Sequence, residues 1–275
     1  MRIARLASRA FFCALFCALL PVLAGPASAL DCAAPPVADR IAAIPARGEA
    51  LLESGVSVRL AGVRLADAGP VGVAARAAMD ALVGAEVAVA LLAPEPDRWG
   101  RRAATLAVAR GEGAPAEDLA AALVSAGLAM VDVGPAEVLC RAGLLDLEEG
   151  ARRAGRGVWA DPAEAPVFAG DLDALEARAG RFTLVEGVVA RVGVRDRRTY
   201  LDFSSFWSRG FTAAVPGEVW ERLVARGLDA EALEGRRMRV RGIIEMRRGP
   251  AVTVGAVETI EILSSNSAEP RRSRP

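Results

Sequence analysis

The sequence predicts a β-rich α+β protein made of two consecutive small barrels, the first with five strands and three helices, the second smaller. Three observations predict it. Short runs of residues alternate between apolar and polar, stretches of helical periodicity break between them, and Asp161-Pro162 with Ala165-Pro166 punctuates the chain between one strand-rich half and another.

A Pro/Ala-rich lead precedes strands expected at 49–52, 57–63 and 86–92. Glu53-Ser54-Gly55 turns the first two into a hairpin, and residues 74–83, with Ala78, Met79, Leu82 and Val83 at helical spacing, insert a helix. A strand at 103–108 follows the Trp99-Gly100 turn. Residues 116–126 read as a helix with Leu119, Leu123 and Val124 on one face, stopped by Gly127, and residues 135–154 as a third. Past the prolines, a short helix at 171–179 leads into strands at 182–192, 200–203, 211–215, 238–245 and 251–254, with a helix at 219–226 among them. Five short strands and one helix suggest a barrel of the oligonucleotide/oligosaccharide-binding (OB-like) type. The Ser/Arg/Pro-rich tail from residue 265 is expected to be disordered.

Composition excludes several chemistries. The 275 residues include no histidine, and all 34 basic residues are arginine. Imidazole acid–base catalysis and His-bearing zinc sites are therefore excluded, and any metal must be held by oxygen or sulfur. Alanine and arginine stand where lysine and asparagine often occur, a base-composition bias that makes arginine density weak support for phosphate binding. Arg2, Arg5 and Arg9, an apolar run over 10–24 and Ala27-Ser28-Ala29 read as a signal peptide with an A-x-A cleavage site. The run falls short of the roughly 20 residues of a spanning helix. The expectation is an exported protein, periplasmic or secreted, with no membrane span after cleavage. Losing those three arginines from a balance of 34 basic and 34 acidic residues leaves the mature chain mildly acidic, so any nucleic-acid surface must be local. Cys13 and Cys17 leave with the signal peptide. Cys32 and Cys140 remain, either as a disulfide closing a loop of about a hundred residues, worth up to about 4–5 kcal/mol, or as two thiols.

Between residues 46 and 161 five segments follow one another: Val58-Arg59-Leu60-Ala61-Gly62-Val63, Asp97-Arg98-Trp99-Gly100-Arg101, Ala126-Gly127-Leu128-Ala129, Glu148 with Ala151 and Arg152, and Gly157-Val158-Trp159. In this order and spacing they resemble the thermonuclease (staphylococcal-nuclease-like) family. The resemblance implies an OB-like barrel and a calcium-assisted phosphodiesterase acting on nucleic acid, DNA or RNA. It puts Arg59 and Arg101 at the family's two arginine positions, Asp67 at that of the general base, and Glu49 and Asp67 among the Ca2+ ligands. Guanidinium groups suit this chemistry because attack on a phosphodiester builds charge on oxygens that a planar fork can meet with two hydrogen bonds. A hard dication held by carboxylates adds charge and orients the water.

The match is incomplete on its metal side. The family's Asp-x-Pro-Glu is Arg64-Leu65-Ala66-Asp67 here, and its Asp-Gly-Asp-Thr is Arg47-Gly48-Glu49-Ala50. A guanidinium about 5 Å from a dication costs on the order of 2 kcal/mol at the dielectric of water and about 7 at an effective value of 20, unless Arg64 swings away. Glutamate shortened to Asp67 retracts the base by roughly 1.5 Å, and a misplacement of about 1 Å can cost on the order of a hundredfold in rate. Weak hydrolysis therefore competes with a second reading, a catalytically inactive module of the cell envelope that binds nucleic acid or a partner. Arg59 and Arg101 also read as ordinary surface arginines, and Arg152, Arg153 and Arg156 as a basic helix end.

The second barrel carries Tyr200, Phe203, Phe206, Trp207 and Phe211 among Arg197, Arg198 and Arg209. Tyr200, Trp207 and Arg209 are candidates for single-strand binding through stacking and phosphate neutralisation; the alternative is a core of Phe203 and Phe211 with the others covering a loop. The organisation expected is a signal peptide at 1–29, a thermonuclease-like domain at 30–163, an accessory OB-like domain at 166–264 and a tail at 265–275.

Overall fold

The computed structural model describes residues 34–46, 48–92, 95–109, 115–133, 139–141, 143–205 and 210–263. The expected signal peptide and tail, Cys32, Trp207 and Arg209 lie outside the described residues.

The first half begins with β1 (Val37–Ala43), β2 (Glu49–Leu52), β3 (Ser57–Leu60), β4 (Val63–Leu65), α1 (Gly69–Asp80), β5 (Glu86–Leu91) and β6 (Arg102–Val108). Period-two alternation turns Ala50, Leu52, Val58 and Leu60 inward and leaves Glu49 and Arg59 facing out. β1 is antiparallel to β2 and β5, β2 to β3, and β5 to β6. β3 runs parallel to β6, which joins the two ends of the sheet into a closed five-stranded barrel. β7 (Glu117–Asp118) then leads into α2 (Leu119–Ser125), capped by the Asp118 carboxylate, which accepts from the Ala121 N–H at 3.2 Å. β8 (Ala129–Val131) pairs with β4, and α3 (Gly143–Arg153) packs beside α2.

The Pro/Ala-rich lead is instead a seven-residue strand, β1, in which Ile41 is the one fully buried side chain, so it shows little hydrophobic alternation. The first helix starts earlier than its apolar pattern, because Gly69-Pro70 opens it and proline suits a first turn. The third is shorter than expected: residues 139–141 are not helical, and 134–138 and 142 lie outside the described residues.

The second half comprises β9 (Val167–Phe168), α4 (Leu172–Glu176), β10 (Phe182–Val188), β11 (Arg191–Val194), β12 (Arg198–Asp202), β13 (Thr212–Pro216), α5 (Gly217–Ala225), α6 (Ala230–Leu233), β14 (Arg237–Ile243), β15 (Glu245–Met246), β16 (Pro250–Thr253) and β17 (Ile260–Ile262). Two strands expected to be continuous each break and change sheets, 182–192 at Val189-Ala190 and 238–245 at Ile244. The sheets are β17-β14-β10-β9 and β11-β12-β13-β16-β15, with β13 parallel to β16. Taking β10 with β11 and β14 with β15, this half repeats the connectivity of the first. Three strands lead to a helix, then two more strands, the last parallel to the third and the fourth antiparallel to the first.

Two hydrophobic clusters fill the halves. Ile41, Leu60, Met79 and Leu106 belong to one, and Val185, Leu201, Phe211 and Met238 to the other. Phe203 packs on Phe211 at 5.2 Å between ring centroids, as the core alternative for these residues expects. Leu184 and Ala256 of the second half join the first cluster, so the junction is packed.

That junction also holds buried charge. Arg241 on β14 is fully buried; its Nη1 donates to the Val131 carbonyl at 2.9 Å and to Glu148 on α3 at 2.7 Å, and its Nη2 donates to Glu261. Glu148 also accepts from the Val131 N–H at 2.6 Å. Arg239, two positions along on the same face, meets Glu186 at 2.7 Å, Glu261 at 3.1 Å and Glu149 at 3.4 Å. Burial pushes the Glu148 carboxyl up, against the pull of Arg241.

Candidate functional site

On the outer face of the first barrel, β2 and β3 set Glu49 directly opposite Arg59. Paired residues in adjacent strands lie about 5 Å apart at Cβ. Arg101 arrives from the start of β6, placed by the turn 97–101. The Asp97 N–H donates to the Arg101 carbonyl at 2.8 Å, the Gly100 N–H to the Asp97 carbonyl at 2.9 Å, and Gly100 takes the positive φ of 79° that such a turn needs. The Arg101 guanidinium then donates Nε and Nη2 to Asp97 Oδ2 at 2.9 and 2.7 Å, and Nη1 to Glu49. Asp97 Oδ1 also accepts the N–H groups of Trp99 and Arg101. The Arg101 guanidinium beside it, with these N–H donors, lowers the Asp97 carboxyl to about 2. Trp99, 63% exposed, carries the guanidiniums of Arg98 and Arg101 over its ring at 3.8 and 4.7 Å.

Three of the residues expected at the site, Glu49, Arg59 and Arg101, are thus brought together. Asp67 lies exposed between β4 and α1. Arg64 turns to the junction: its Nε donates to Asp132 at 2.9 Å and its guanidinium lies 5.1 Å over the Phe182 ring of β10. Repulsion between Arg64 and a dication is therefore not the deciding term. The donor set is. Calcium takes six to eight oxygens, whereas Glu49 is engaged by Arg101 and, among the described residues, no three acidic or cysteine side chains gather as a metal site. These residues do not fit a calcium ion.

The second half has a groove of about 490 Å3. Its floor is small because β11 offers Gly193, β13 offers Thr212 and Ala214, and β16 offers Ala251. Tyr200 on β12, 38% exposed, stands opposite Gly193, where a Cβ would meet only the Tyr200 carbonyl at 3.9 Å. Arg191 and Arg195 line one side; Arg247 and Arg248, in the β15–β16 turn, line the other. Asp202, buried beneath, accepts from Arg191 Nη2 and the Thr212 hydroxyl, each at 3.0 Å. Arg247 is bonded to Glu245 at 2.6 Å. Arg248 is exposed and has no carboxylate partner among the described residues.

Sequence reasoning placed Tyr200 but missed the four arginines around it. The signal was the alternation Arg191-x-Gly193-x-Arg195, which puts all three on one face of a strand. It also missed the clamp formed by Asp97, four residues before Arg101. Cys140 is disulfide-bonded; Cys32, the partner expected for it, lies outside the described residues. No helix among the described residues is long and apolar enough to cross a membrane.

Comparison with known protein families finds no matching family model, and comparison with curated proteins finds no match. The thermonuclease resemblance rests on the motif residues alone.

Proposed function

We propose that this chain is an exported, OB-like two-barrel protein that binds single-stranded nucleic acid without cutting it. The observation carrying this reading is the state of Arg101: both edges of its guanidinium are taken by carboxylates, one of them Glu49, the residue the family resemblance offers as a metal ligand. A nuclease site needs that arginine on phosphate and that carboxylate on the metal. Here they neutralise each other. The disulfide at Cys140 supports export, since such bonds persist in oxidising compartments.

Two measurements test the proposal. Thermal melting with millimolar calcium is expected to show no shift; a metal held at a hundred times its dissociation constant would add about 2.7 kcal/mol of stability. Retardation of a short single-stranded oligonucleotide is expected and should fade with salt. A calcium-dependent rise in Tm that Glu49→Gln removes sinks the proposal.

The second reading, phosphodiester hydrolysis, draws on the proximity of Arg59, Glu49 and Arg101. It requires nucleic-acid phosphate to displace Glu49 from Arg101, and predicts cleavage that chelator stops.

A further inference from the structure

We infer that the strand is held in the groove between Arg191/Arg195 and Arg247/Arg248 on the second barrel, with a base stacked on Tyr200. This rests on the binding function proposed above and names its site and ligand class: single-stranded nucleic acid.

The groove runs across β11, β12 and β13, open because β11 and β13 present Gly193, Thr212 and Ala214 on either side of Tyr200 where larger side chains would fill it. Arginines stand on both of its sides. Arg191 and Arg247 are held by Asp202 and Glu245, and Arg195 and Arg248, with no carboxylate partner among the described residues, are the ones offered to the phosphates of a chain lying along the floor. Charge alone would suit any polyanion. Tyr200 decides between them. Its cross-strand partner is Gly193, so no side chain covers the ring from that strand, and the neighbouring position on β13 is only Ala214. An aromatic face left open on a groove floor between cations is how single strands are recognised without sequence readout, by stacking and phosphate neutralisation together. A duplex, whose bases are stacked on one another, cannot offer a base to the ring without unstacking.

Asp202 serves as a positioning residue. Buried under the groove and bonded to Arg191 and Thr212, it fixes the guanidinium at the wall. Arg195 and Arg248 are exposed, and their removal leaves the core untouched.

The test is anisotropy of a fluorescent oligothymidylate titrated with the purified full chain over a range of salt. Arg195→Ala with Arg248→Ala is expected to lower the log–log salt slope by about 0.7 for each phosphate that is no longer neutralised. Tyr200→Leu is expected to weaken binding about tenfold or more at unchanged salt slope, and Tyr200→Phe to preserve it. Inorganic polyphosphate is expected to compete less well than the oligonucleotide. Equal competition together with an unaffected Tyr200→Leu variant makes the groove a base-blind polyanion site and overturns the inference. Unchanged binding in the arginine variant, with loss in Arg59→Ala or Arg98→Ala, moves the strand to the first barrel; the inference then fails while nucleic-acid binding stands. If the unaltered chain binds no oligonucleotide, the binding function itself fails.

Discussion

Arg101 donates twice to Asp97 on the outer face of the first barrel, and Asp97 reports on that contact. Its carboxyl, held at about 2 chiefly by the Arg101 side chain, should titrate there in a carbon-detected NMR experiment and move up toward about 3.9 in Arg101→Ala. Because the folded value lies below the unfolded one, this carboxylate contributes stability above pH about 4 and loses it as the pH falls through about 2. Arg64 is held by contacts that its sequence position does not show. From sequence it looks like a charge placed against a metal, since only its position in the motif is visible. Its real contacts, Asp132 and Phe182, lie far along the chain, and no local spacing announces them.

Among the elements, the end of α2 depends on two glycines that meet. Gly127 and Gly157 both take positive φ, and a Cβ on either would come within 2.1 Å of the other segment's carbonyl oxygen. The Val158 N–H donates to the Gly127 carbonyl at 2.9 Å across this contact. Gly127→Ala or Gly157→Ala is expected to cost about 2–4 kcal/mol in urea denaturation, combining left-handed strain with a backbone clash. Both glycines were legible in the sequence as motif members, and Gly127 as a helix stop. Their mutual contact was not. The central strands and α2 were readable because apolar residues repeat at a clean period. β1 was not, because most of its side chains remain partly or fully exposed, and the breaks at Val189 and Ile244 were not, because a strand that changes sheets keeps its strand-like composition. The arginines of the groove were hidden by abundance: in a chain whose basic residues are all arginine, only the strand register shows which four surround Tyr200.

The two halves of the molecule are coupled by the charges at their junction. Glu148 and Arg241 come from different halves, and neither is accessible to water. Breaking such a pair from one side strands the other charge, at a cost of about 3–5 kcal/mol. Glu148→Leu leaves Arg241 to Glu261 and the Val131 carbonyl and is therefore expected to lower stability by about 3 kcal/mol, the low end of that range. Glu148→Leu with Arg241→Leu is expected to lower it by less than the sum of the single changes, because each single variant leaves a buried charge under-compensated that the double variant removes. Alternation of Arg237, Arg239 and Arg241 along β14 was visible in the sequence; that Arg239 and Arg241 would be buried among Glu148, Glu186 and Glu261 was not, because burial is a property of the junction. We propose that the arginine-bearing face of the first barrel holds no metal ion and that the molecule binds nucleic acid without cutting it. The most direct test incubates end-labelled single-stranded DNA with excess protein, in calcium or in chelator, and reads both mobility and length. The expected result is a retarded strand recovered at full length and identical in the two conditions. Shortening of the strand in calcium, absent with chelator and absent in Arg101→Ala, would contradict it.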